Sequence, residues 1–327
     1  MPLDQYQREI NYLRISVTDH CNLRCVYCMP LNGLQFLPSE ALLTPSEIAS
    51  VVGVAVSVGF RKFRFTGGEP TLRPDLVEII ERIRRIEGVG DLALTTNGIL
   101  LPKLAKSYAK AGLDRVNIHV DSLHPERLGK IMRWGSLDAV WRGIEAAQEA
   151  GLVPIKLNAV VAKGYNDEDV AELAALTIER DWHVRFIEMM PFGIGDCSAV
   201  ARDQYVSNID VRRRIEEALG ELTPLPGASS DESRNYRLPN ARGIVGFISP
   251  VSEPYCGSCN RMRLTADGKL HLCLLNDDEM DIKKQLREKG PEAIREILLK
   301  AVRLKPVGHH LAEGIFTQNR KMFQIGG

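Results

Sequence analysis

The sequence Cys21-Asn-Leu-Arg-Cys25-Val-Tyr-Cys28 follows a short apolar segment near the N-terminus and places three thiols within eight positions. Cysteine thiolates are the usual protein ligands of iron–sulfur clusters, and a compact loop with this spacing can hold one corner of a cube. The next cysteine is Cys197, so one iron would remain open to a small chelating molecule. A structural zinc site is the alternative, but zinc sites usually pair two CxxC or His elements, which this loop lacks.

The composition of the chain limits the classes of protein to which it can belong. Its 327 residues are enough for one large domain or two ordinary ones. It carries 42 Lys and Arg residues and 42 Asp and Glu residues, so we expect neither nucleic acid nor a membrane surface as a partner. Two tight cysteine groups and a single Cys197 indicate metal ligation in a reducing compartment. Without an apolar signal core or a segment of membrane-span length, we expect a cytoplasmic protein.

Short strand patterns alternate with helical patterns in the first part of the chain. The predicted strands are 12–18, 62–66, 92–96, 116–120, 154–161 and 184–190. The predicted helices are 45–58, 75–86, 102–111, 137–150 and 167–181. Gly59, Gly112 and Gly151 follow three of these helices, as left-handed caps do. The alternation predicts a parallel sheet that is covered by helices.

The predicted strands alternate in polarity, whereas parallel strands that are buried on both faces are usually apolar throughout. In the first strand Leu13 and Ile15 share one face and Arg14 lies on the other. Arg64 and Lys156 have the polar parity in the second and fifth strands. The apolar faces should meet the helices, which leaves a polar, partly cationic interior. We therefore expect an incomplete barrel that encloses a ligand, because a complete eight-strand barrel fills its interior with apolar side chains.

Unusual loops follow the first three predicted strands. They are the cysteine loop, Thr66-Gly-Gly-Glu-Pro70 and Thr95-Thr-Asn-Gly98. Ligands of α/β folds bind beyond the carboxyl ends of the strands, so these loops should mark the site. We expect Gly67 and Gly68 to allow a close backbone approach and to expose amide donors.

The regular alternation ends after Pro191, so we expect a division into residues 1–191 and 192–327. In the second part, 206–219 and 292–304 have helical patterns. The run up to residue 203 predicts irregular structure, and 224–240, which is rich in Pro, Gly, Ser and charge, predicts a loop or linker.

A second cysteine group contains Cys256-Gly-Ser-Cys259 and Cys273. A hairpin turn at Ala266-Asp-Gly268 should return Cys273 to the CxxC pair. The spacing alone is compatible with zinc, with His271 as a fourth ligand, or with a second cluster. Arg261 and Arg263 leave one face of the intervening strand, and two guanidinium groups beside a cluster suit a phosphate or carboxylate ligand.

These motifs resemble, nearly from end to end, the GTP 3',8-cyclase family of molybdenum cofactor biosynthesis, within the radical S-adenosylmethionine (SAM) superfamily. The matching stretches are 12–19, 21–30, 64–70, 94–98, 185–188, 256–268 and the terminal Gly326-Gly327. The resemblance implies an α/β fold, an incomplete (β/α)6 TIM-like barrel whose mouth is closed by a C-terminal region with a second [4Fe-4S] cluster. It also implies a lyase that forms 3',8-cyclo-7,8-dihydro-GTP. A 5'-deoxyadenosyl radical from SAM takes hydrogen from the ribose C3' of GTP, and C3' then attacks guanine C8.

The resemblance also implies roles for particular residues. Cys21, Cys25 and Cys28 would hold the SAM cluster, and Cys256, Cys259 and Cys273 would hold a second [4Fe-4S] cluster whose open iron binds guanine. The SAM site would contain Tyr27, Gly68, His119, Met190 and Arg185. The GTP contacts would come from Arg14, Arg64, Thr95, Lys156, Arg261 and Arg263. Gly326 and Gly327 would form a tail that reaches the active site. From the resemblance we expect these two glycines, together with Arg14 and Arg64, to be catalytic.

One site position departs from the family pattern. Members often carry a Ser that contacts SAM where this chain has His119. An imidazole can still donate a hydrogen bond, so we expect activity to be retained.

Two other interpretations stay open at this stage. Another radical SAM enzyme with an auxiliary cluster usually has a longer C-terminal run of cysteines. A non-enzymatic metal-binding protein would not need Arg and Lys inside a barrel. For partners, the resemblance implies GTP and SAM as small molecules, the next pathway enzyme as a functional partner and a homodimer, and it leaves the electron donor unknown.

Overall fold

The computed structural model describes residues 2–192, 195–228, 230–315 and 317–326. Within these ranges the chain forms twelve strands and eleven α-helices. The strands are β1 (Tyr12–Ser16), β2 (Lys62–Thr66), β3 (Asp91–Thr96), β4 (Arg115–His119), β5 (Lys156–Val161), β6 (His183–Glu188), β7 (Thr223–Pro224), β8 (Arg234–Arg237), β9 (Ile244–Ile248), β10 (Arg261–Leu264), β11 (Lys269–His271) and β12 (Glu279–Asp281). The helices are α1 (Pro45–Ser57), α2 (Leu76–Arg84), α3 (Leu101–Ala111), α4 (Pro125–Met132), α5 (Leu137–Glu149), α6 (Val170–Glu179), α7 (Asp196–Asp203), α8 (Asn208–Leu219), α9 (Ile282–Lys289), α10 (Pro291–Leu304) and α11 (Met322–Ile325).

All twelve strands of the described chain belong to one sheet, in the order β12-β11-β10-β1-β2-β3-β4-β5-β6-β9-β8-β7. Strands β1 to β6 are parallel neighbours, as the sequence predicts. The C-terminal region adds a parallel strand at each edge, β10 beside β1 and β9 beside β6. The predicted fold class, an incomplete (β/α)6 TIM-like barrel with a C-terminal region, is confirmed. That region is continuous with the barrel sheet.

The alternation of polarity along the strands places apolar side chains under the helices. Leu13, Ile15, Phe63 and Phe65 are completely buried in the main hydrophobic core. Side chains of the opposite parity point into the barrel, where they line cavities. The predicted polar interior is therefore present.

Helix α1 shows how the local sequence fixes one of the covering helices. Thr44 caps its N-terminus by accepting a hydrogen bond from the Glu47 amide, and the Glu47 side chain accepts one from Thr44 in return. By length and composition alone, the helical stretch Ser39–Ser57 is apolar enough to cross a membrane. Its α-helical part has 13 residues, about 20 Å at 1.5 Å per residue, and it packs on the core. A hydrocarbon layer is about 30 Å thick, so α1 is better explained as a core helix.

Several predicted boundaries were wrong, and the reasons are local. Helix α7 occupies the predicted irregular run because Ala201 packs against Met189, a tertiary contact that periodicity does not show. Helix α4 was not predicted, and neither was β9, which contains Gly246. A Cβ atom at Gly246 would meet the hydroxyl oxygen of Ser233 and would lie 3.0 Å from Cγ of Arg185, so this strand needs a glycine between the two side chains. The predicted 224–240 linker contains β8 and part of β7.

Other local predictions agree with the structure. Strands β10 and β11 pair antiparallel, which returns Cys273 to the CxxC pair as expected. Gly59, Gly112 and Gly151 have φ angles of 111°, 100° and 77°, which are the left-handed caps that the sequence predicts.

Candidate active site

The first cysteine loop leaves the carboxyl end of β1 and rests on the end of α4. The backbone amides of Arg24 and Val26 donate to the carbonyl oxygens of Met132 and Ile131, at 3.2 and 3.0 Å. Within the loop the Leu23 amide donates to Sγ of Cys21 at 3.3 Å. Backbone contacts outside the loop therefore fix its path, and all three of its thiols face one cavity.

The Gly67-Gly68 loop packs directly against the segment that leads into the cysteine loop. A Cβ atom at Gly68 would lie 2.6 Å from the carbonyl oxygen of Asp19, so the two backbones meet at a distance that only glycine allows. The Gly68 amide donates to Thr18 at 2.8 Å and the Glu69 amide donates to His20 at 2.7 Å. The expectation that this loop exposes amide donors was wrong for these two amides, because neighbouring carbonyl groups accept from them.

The carboxyl ends of the strands enclose a cavity of about 240 Å³. Residues from each of the six barrel strands or the loops that follow them line it, as the positions of the unusual loops predict. The sequence-predicted residues in its wall are Arg14, Cys21, Cys25, Tyr27, Cys28, Arg64, Gly68, Thr95, His119, Met190 and Arg263. The hydroxyl of Thr66 and the amide oxygen of Asn158 are buried there without a hydrogen-bond partner among the described residues. The site therefore offers unpaired polar groups to a ligand.

Tyr27, His119 and Asp121 form a hydrogen-bonded group in this wall. The Tyr27 hydroxyl lies 2.5 Å from Nε2 of His119 and donates to Oδ2 of Asp121 at 2.8 Å. The same imidazole nitrogen lies 2.6 Å from Asp121, which is completely buried. Although burial alone lowers it, the Asp121 carboxylate raises the pKa of His119. His119 thus holds the side chain that lies between two cluster cysteines.

A second cavity, of about 140 Å³, lies inside the barrel at the amino ends of the strands. Its wall contains the first residue of each of β1 to β6 together with the next inward-facing residues, and it is strongly cationic. The cations are Lys62, Arg64, Arg115, Lys156, Arg185 and Arg261. Burial and the like charges of Arg185 and Arg115 lower the pKa of Lys156 to about 7. We call this group the basic lumen.

Two neutral side chains, those of Asn117 and His183, lie among the cations of the basic lumen. The Asn117 amide, with its oxygen toward the guanidinium groups, accepts hydrogen bonds from Arg64 at 2.5 Å and from Arg185 at 2.9 Å. Burial lowers the pKa of His183 to about 4, and the Lys156 charge lowers it further, so this imidazole is neutral at pH 7. The six cations of the lumen face three carboxylates, those of Asp91, Asp231 and Glu232, so it keeps an excess of positive charge that suits a polyanion.

Glu232 brings a carboxylate into the centre of these cations. It pairs with Arg14 through a short contact and lies 3.6 Å from Arg64, 3.7 Å from Arg261 and 3.9 Å from Arg185. Although burial alone would raise it, the Arg14, Arg261 and Arg64 guanidinium groups hold the pKa of Glu232 well below its ordinary value. The sequence analysis assigned no role to Glu232, because it lies in the segment predicted as a linker.

The second cysteine group lies in a smaller cavity that adjoins the first. Cys256, Cys259 and Cys273 line it together with Arg14, Arg261, Arg263, Lys305 and His309. The Lys305 side chain is 2% exposed, and its Nζ donates to the carbonyl oxygens of Arg261 and Leu272, both at 2.7 Å. Burial alone would raise it, but the charges of Lys305 and Arg261 lower the pKa of the Cys259 thiol. Because a cluster ligand must be deprotonated, these charges favour ligation by Cys259.

The described residues fit clusters better than single metal ions. No three His, Cys, Asp or Glu side chains in the described ranges converge on one ion position. A zinc ion would need such convergence, with sulfur ligands at about 2.3 Å. Each cysteine group lines a single cavity, and three thiolates without a fourth cysteine are a donor set that leaves one iron of a cluster open.

The C-terminal tail enters the site between β2 and β10. Gly326, at φ 82°, follows α11, and its carbonyl oxygen accepts a short hydrogen bond from Arg263. A Cβ atom at Gly326 would meet the Thr66 hydroxyl and would lie 3.2 Å from the amide nitrogen of Gly67. Gly326 thus lies beside three residues that line the carboxyl-end cavity, Thr66, Gly67 and Arg263. Gly327 lies outside the described residues.

Several of the sequence-predicted arginines each line two cavities. Arg64 faces both the carboxyl-end cavity and the basic lumen, and Arg14 and Arg263 face both the carboxyl-end cavity and the second cysteine group. Arg185, expected near SAM, lines the basic lumen beside Lys156. Its inward parity, shared with His183, was a signal for this position. The sequence analysis omitted Arg115, Glu232 and Lys305.

Comparison with known proteins shows the family to which this chain belongs. The Radical SAM superfamily model matches residues 15–177, and the Molybdenum Cofactor Synthesis C model matches residues 182–311. The GTP 3',8-cyclase of Pelotomaculum thermopropionicum is 48% identical over 326 residues, which is 99% of each chain. That of Moorella thermoacetica is 46% identical, again over 99% of each chain.

The chain belongs to the GTP 3',8-cyclase family. The predicted family is therefore confirmed, and the predicted cofactors, SAM and two [4Fe-4S] clusters, are those of this family.

Among solved structures, Streptococcus suis SuiB bound to S-adenosylmethionine matches this chain with a TM-score of 0.62 and 15% identity. The match covers 92% of this chain and 67% of the SuiB chain. At that identity the similarity concerns the fold alone, so the GTP 3',8-cyclase family and SuiB share an architecture.

Proposed function

We propose that this chain is a GTP 3',8-cyclase that catalyses the first step of molybdenum cofactor biosynthesis. The observation that carries the proposal is the continuity of the interior. Arg14 and Arg263 line both the carboxyl-end cavity and the cavity of the second cysteine group. Arg64 lines both the carboxyl-end cavity and the basic lumen. One elongated molecule can therefore reach both cysteine groups and the cations. A nucleoside triphosphate has the required base, ribose and chain of negative charges.

The cysteines and the carboxyl-end cavity suit the cofactors. Cys21, Cys25 and Cys28 would hold the cluster that binds SAM, and Cys256, Cys259 and Cys273 would hold the second one. When bound, SAM and its cluster supply hydrogen abstraction from the ribose C3' of GTP, after which C3' bonds to guanine C8. Tyr27, held by His119, would form one wall of the SAM site, with Gly68 and Met190 in the same cavity.

The cations divide the recognition of GTP among them. Arg64, Lys156 and Arg185 would bind the triphosphate in the basic lumen, where Arg64 and Arg185 are buried and charge–charge attraction is strong. We assign Arg185 to the substrate on this basis, in place of the SAM role that the resemblance implied. Arg14, Arg261 and Arg263 would orient the base and ribose beside the second cysteine group. Thr95 lies in the wall of the carboxyl-end cavity, where it would contact GTP.

The tail completes the enclosure. Gly326 lies against the end of β2, and Met322 of α11 lines the carboxyl-end cavity. We propose that the tail excludes water and holds Arg263 in place through the carbonyl oxygen of Gly326. The role of Gly327 is proposed from the family alone.

The test is an anaerobic incubation of cluster-reconstituted, reduced protein with SAM and either GTP or ATP. We expect GTP to yield 5'-deoxyadenosine and a product isomeric with GTP, and ATP to yield neither above background. The matched control is Cys21→Ser, which should abolish SAM cleavage while the second cluster retains its iron. Equal turnover of GTP and ATP would contradict the proposal.

Other properties follow less directly. We propose a boundary near residue 191, which lies close to the junction of the two family models. We also propose a cytoplasmic location, because all seven cysteines are free thiols in the structure and six of them are suited to metal ligation. A homodimer and a functional link to the next pathway enzyme stay predictions, and the electron donor is not identified.

A further inference from the structure

Glu232 occupies the position that an anionic ligand of the basic lumen would take. Its carboxylate contacts Arg14 and lies within 4 Å of Arg64, Arg185 and Arg261. The side chain is 11% exposed, although Asp231 beside it is exposed to solvent. One acidic side chain from a surface connection thus reaches the centre of a buried cationic cluster.

The connection between β7 and β8 that carries Glu232 is only lightly attached to the protein. Pro226, Gly227 and Ala228 are exposed, and the Asp231 amide donates within the turn, to Ala228 at 2.9 Å. Ser230 contributes a carbonyl oxygen that accepts from the Arg261 guanidinium at 3.3 and 3.4 Å. Segments with few buried apolar contacts open at low free-energy cost. Among the described residues of this connection, the ion pairs of Glu232 and the Arg261–Ser230 hydrogen bonds tie the turn to the barrel.

The charges in the lumen make simultaneous occupation by Glu232 and a polyanion unfavourable. Without a ligand, the carboxylate offsets the mutual repulsion of Arg14, Arg64 and Arg185. With a triphosphate bound to Arg64 and Arg185, the carboxylate would lie beside like charges in a medium of low dielectric. Two anions that compete for these two guanidinium groups repel each other, so one leaves when the other enters.

We propose that Glu232 is a displaceable counter-ion, which closes the basic lumen when it is empty and is expelled by the phosphates of the substrate. The identity of that substrate rests on the proposed function. Binding exchanges one set of ion pairs for another, so affinity depends on the phosphate chain being charged enough to replace the carboxylate. The lumen thereby discriminates triphosphates from ligands that carry less charge.

The first test is hydrogen exchange of the peptide that spans residues 225–233, in the protein with both clusters and at fixed low ionic strength. Inorganic triphosphate should accelerate exchange of this peptide in the wild-type protein. Glu232→Gln should accelerate it without any ligand, because the ion pairs are lost. The matched control, Glu221→Gln, removes the same charge at an exposed position before β7 and should leave exchange at the wild-type level.

The second test is the dissociation constant for inorganic triphosphate, measured by calorimetry on the same proteins. Glu232→Gln should bind about tenfold more tightly than wild type, since a competing carboxylate has been removed. Glu232→Asp keeps the charge on a shorter side chain and should give an intermediate value. If the Glu232→Gln variant is poorly folded, the affinity of Glu232→Asp still tests the proposal.

The outcomes separate this proposal from the proposed function. Unchanged exchange in Glu232→Gln, or unchanged or weaker triphosphate binding by Glu232→Gln and Glu232→Asp, would overturn the displacement of Glu232. Failure of inorganic triphosphate to bind any of the proteins would overturn it as well. If triphosphate binds and opens the turn but GTP does not compete with it, the counter-ion role stands and the GTP assignment fails.

Discussion

The guanidinium group of Arg263 donates a hydrogen bond to the carbonyl oxygen of Gly326. Arg263 is on β10, beside β1, and Gly326 is at the end of the tail, where it contacts the carboxyl end of β2. This contact anchors the tail to β10, while Gly326 itself lies against Thr66, at the end of the strand that leads into the Gly-Gly loop. The tail is therefore part of the enclosure of the site.

Gly326→Ala should lower turnover strongly. The added Cβ atom would meet the Thr66 hydroxyl at a residue whose φ is 82°, so the tail would have to withdraw. We expect kcat to fall at least about tenfold, with unchanged iron content and thermal stability. The measurement is steady-state turnover of GTP. Gly129→Ala, in α4 with nothing within 4 Å of the new Cβ, is the control and should retain full activity.

Lys156 should make phosphate binding depend on pH. Its pKa is lowered to about 7 in the free site, and a bound triphosphate would raise it. Above pH 7, binding must therefore be accompanied by proton uptake, so affinity should fall with rising pH, by up to about tenfold per unit. Below pH 7 this group is already protonated and adds no slope.

The control for this prediction is Lys156→Arg, whose guanidinium stays charged throughout the range. Titration calorimetry of inorganic triphosphate between pH 6 and 9 should show a steeper loss of affinity in wild type than in the variant. Titration of the ligand itself is common to both proteins and cancels in the comparison. Parallel pH profiles would show that Lys156 does not bind the phosphates.

His119 should support SAM binding through Tyr27. His119→Phe removes the nitrogen that lies 2.5 Å from the Tyr27 hydroxyl and 2.6 Å from Asp121. We expect the dissociation constant for SAM to rise about tenfold, because Tyr27 loses one of its two polar partners. His119→Gln, whose side-chain amide can still reach the Tyr27 hydroxyl, should recover most of the affinity. Equilibrium dialysis with SAM measures both, and iron content should be the same in all three proteins.

Lys305 should stabilise the second cysteine group. Lys305→Met would leave the carbonyl oxygens of Arg261 and Leu272 without their buried donor, at a cost of about 2 kcal/mol in unfolding free energy. The loss of the cation beside Cys259 should also reduce iron retention at that cluster. Chemical denaturation and iron analysis test the two effects. Lys300→Met, at an exposed position of α10, should change neither.

The barrel and much of its chemistry were predictable because their signals are local. Periodicity located β1 to β6 to within two residues, and polarity along the strands predicted that Arg14 and Arg64 face inward. The hairpin at Ala266-Asp-Gly268 was visible as a turn motif. Family resemblance then supplied roles that no spacing could.

The remaining features depend on tertiary contacts. Glu232 is an acidic residue in a segment without periodicity, and only the folded chain shows that it meets four arginines. Lys305 follows α10 among other charged residues, and nothing local indicates that it is buried. Strand β9 was hidden by Gly246, whose small size is needed because the side chains of Ser233 and Arg185 lie beside it.

The most direct test of the central claim uses GTP that carries deuterium at the ribose C3' position. Reconstituted, reduced protein is incubated with SAM and this substrate without oxygen, and 5'-deoxyadenosine is analysed by mass spectrometry. We predict that deuterium is transferred to 5'-deoxyadenosine, in step with formation of the cyclised product. Unlabelled 5'-deoxyadenosine, or no SAM cleavage by protein that holds both clusters, would contradict the claim that this site is a GTP 3',8-cyclase.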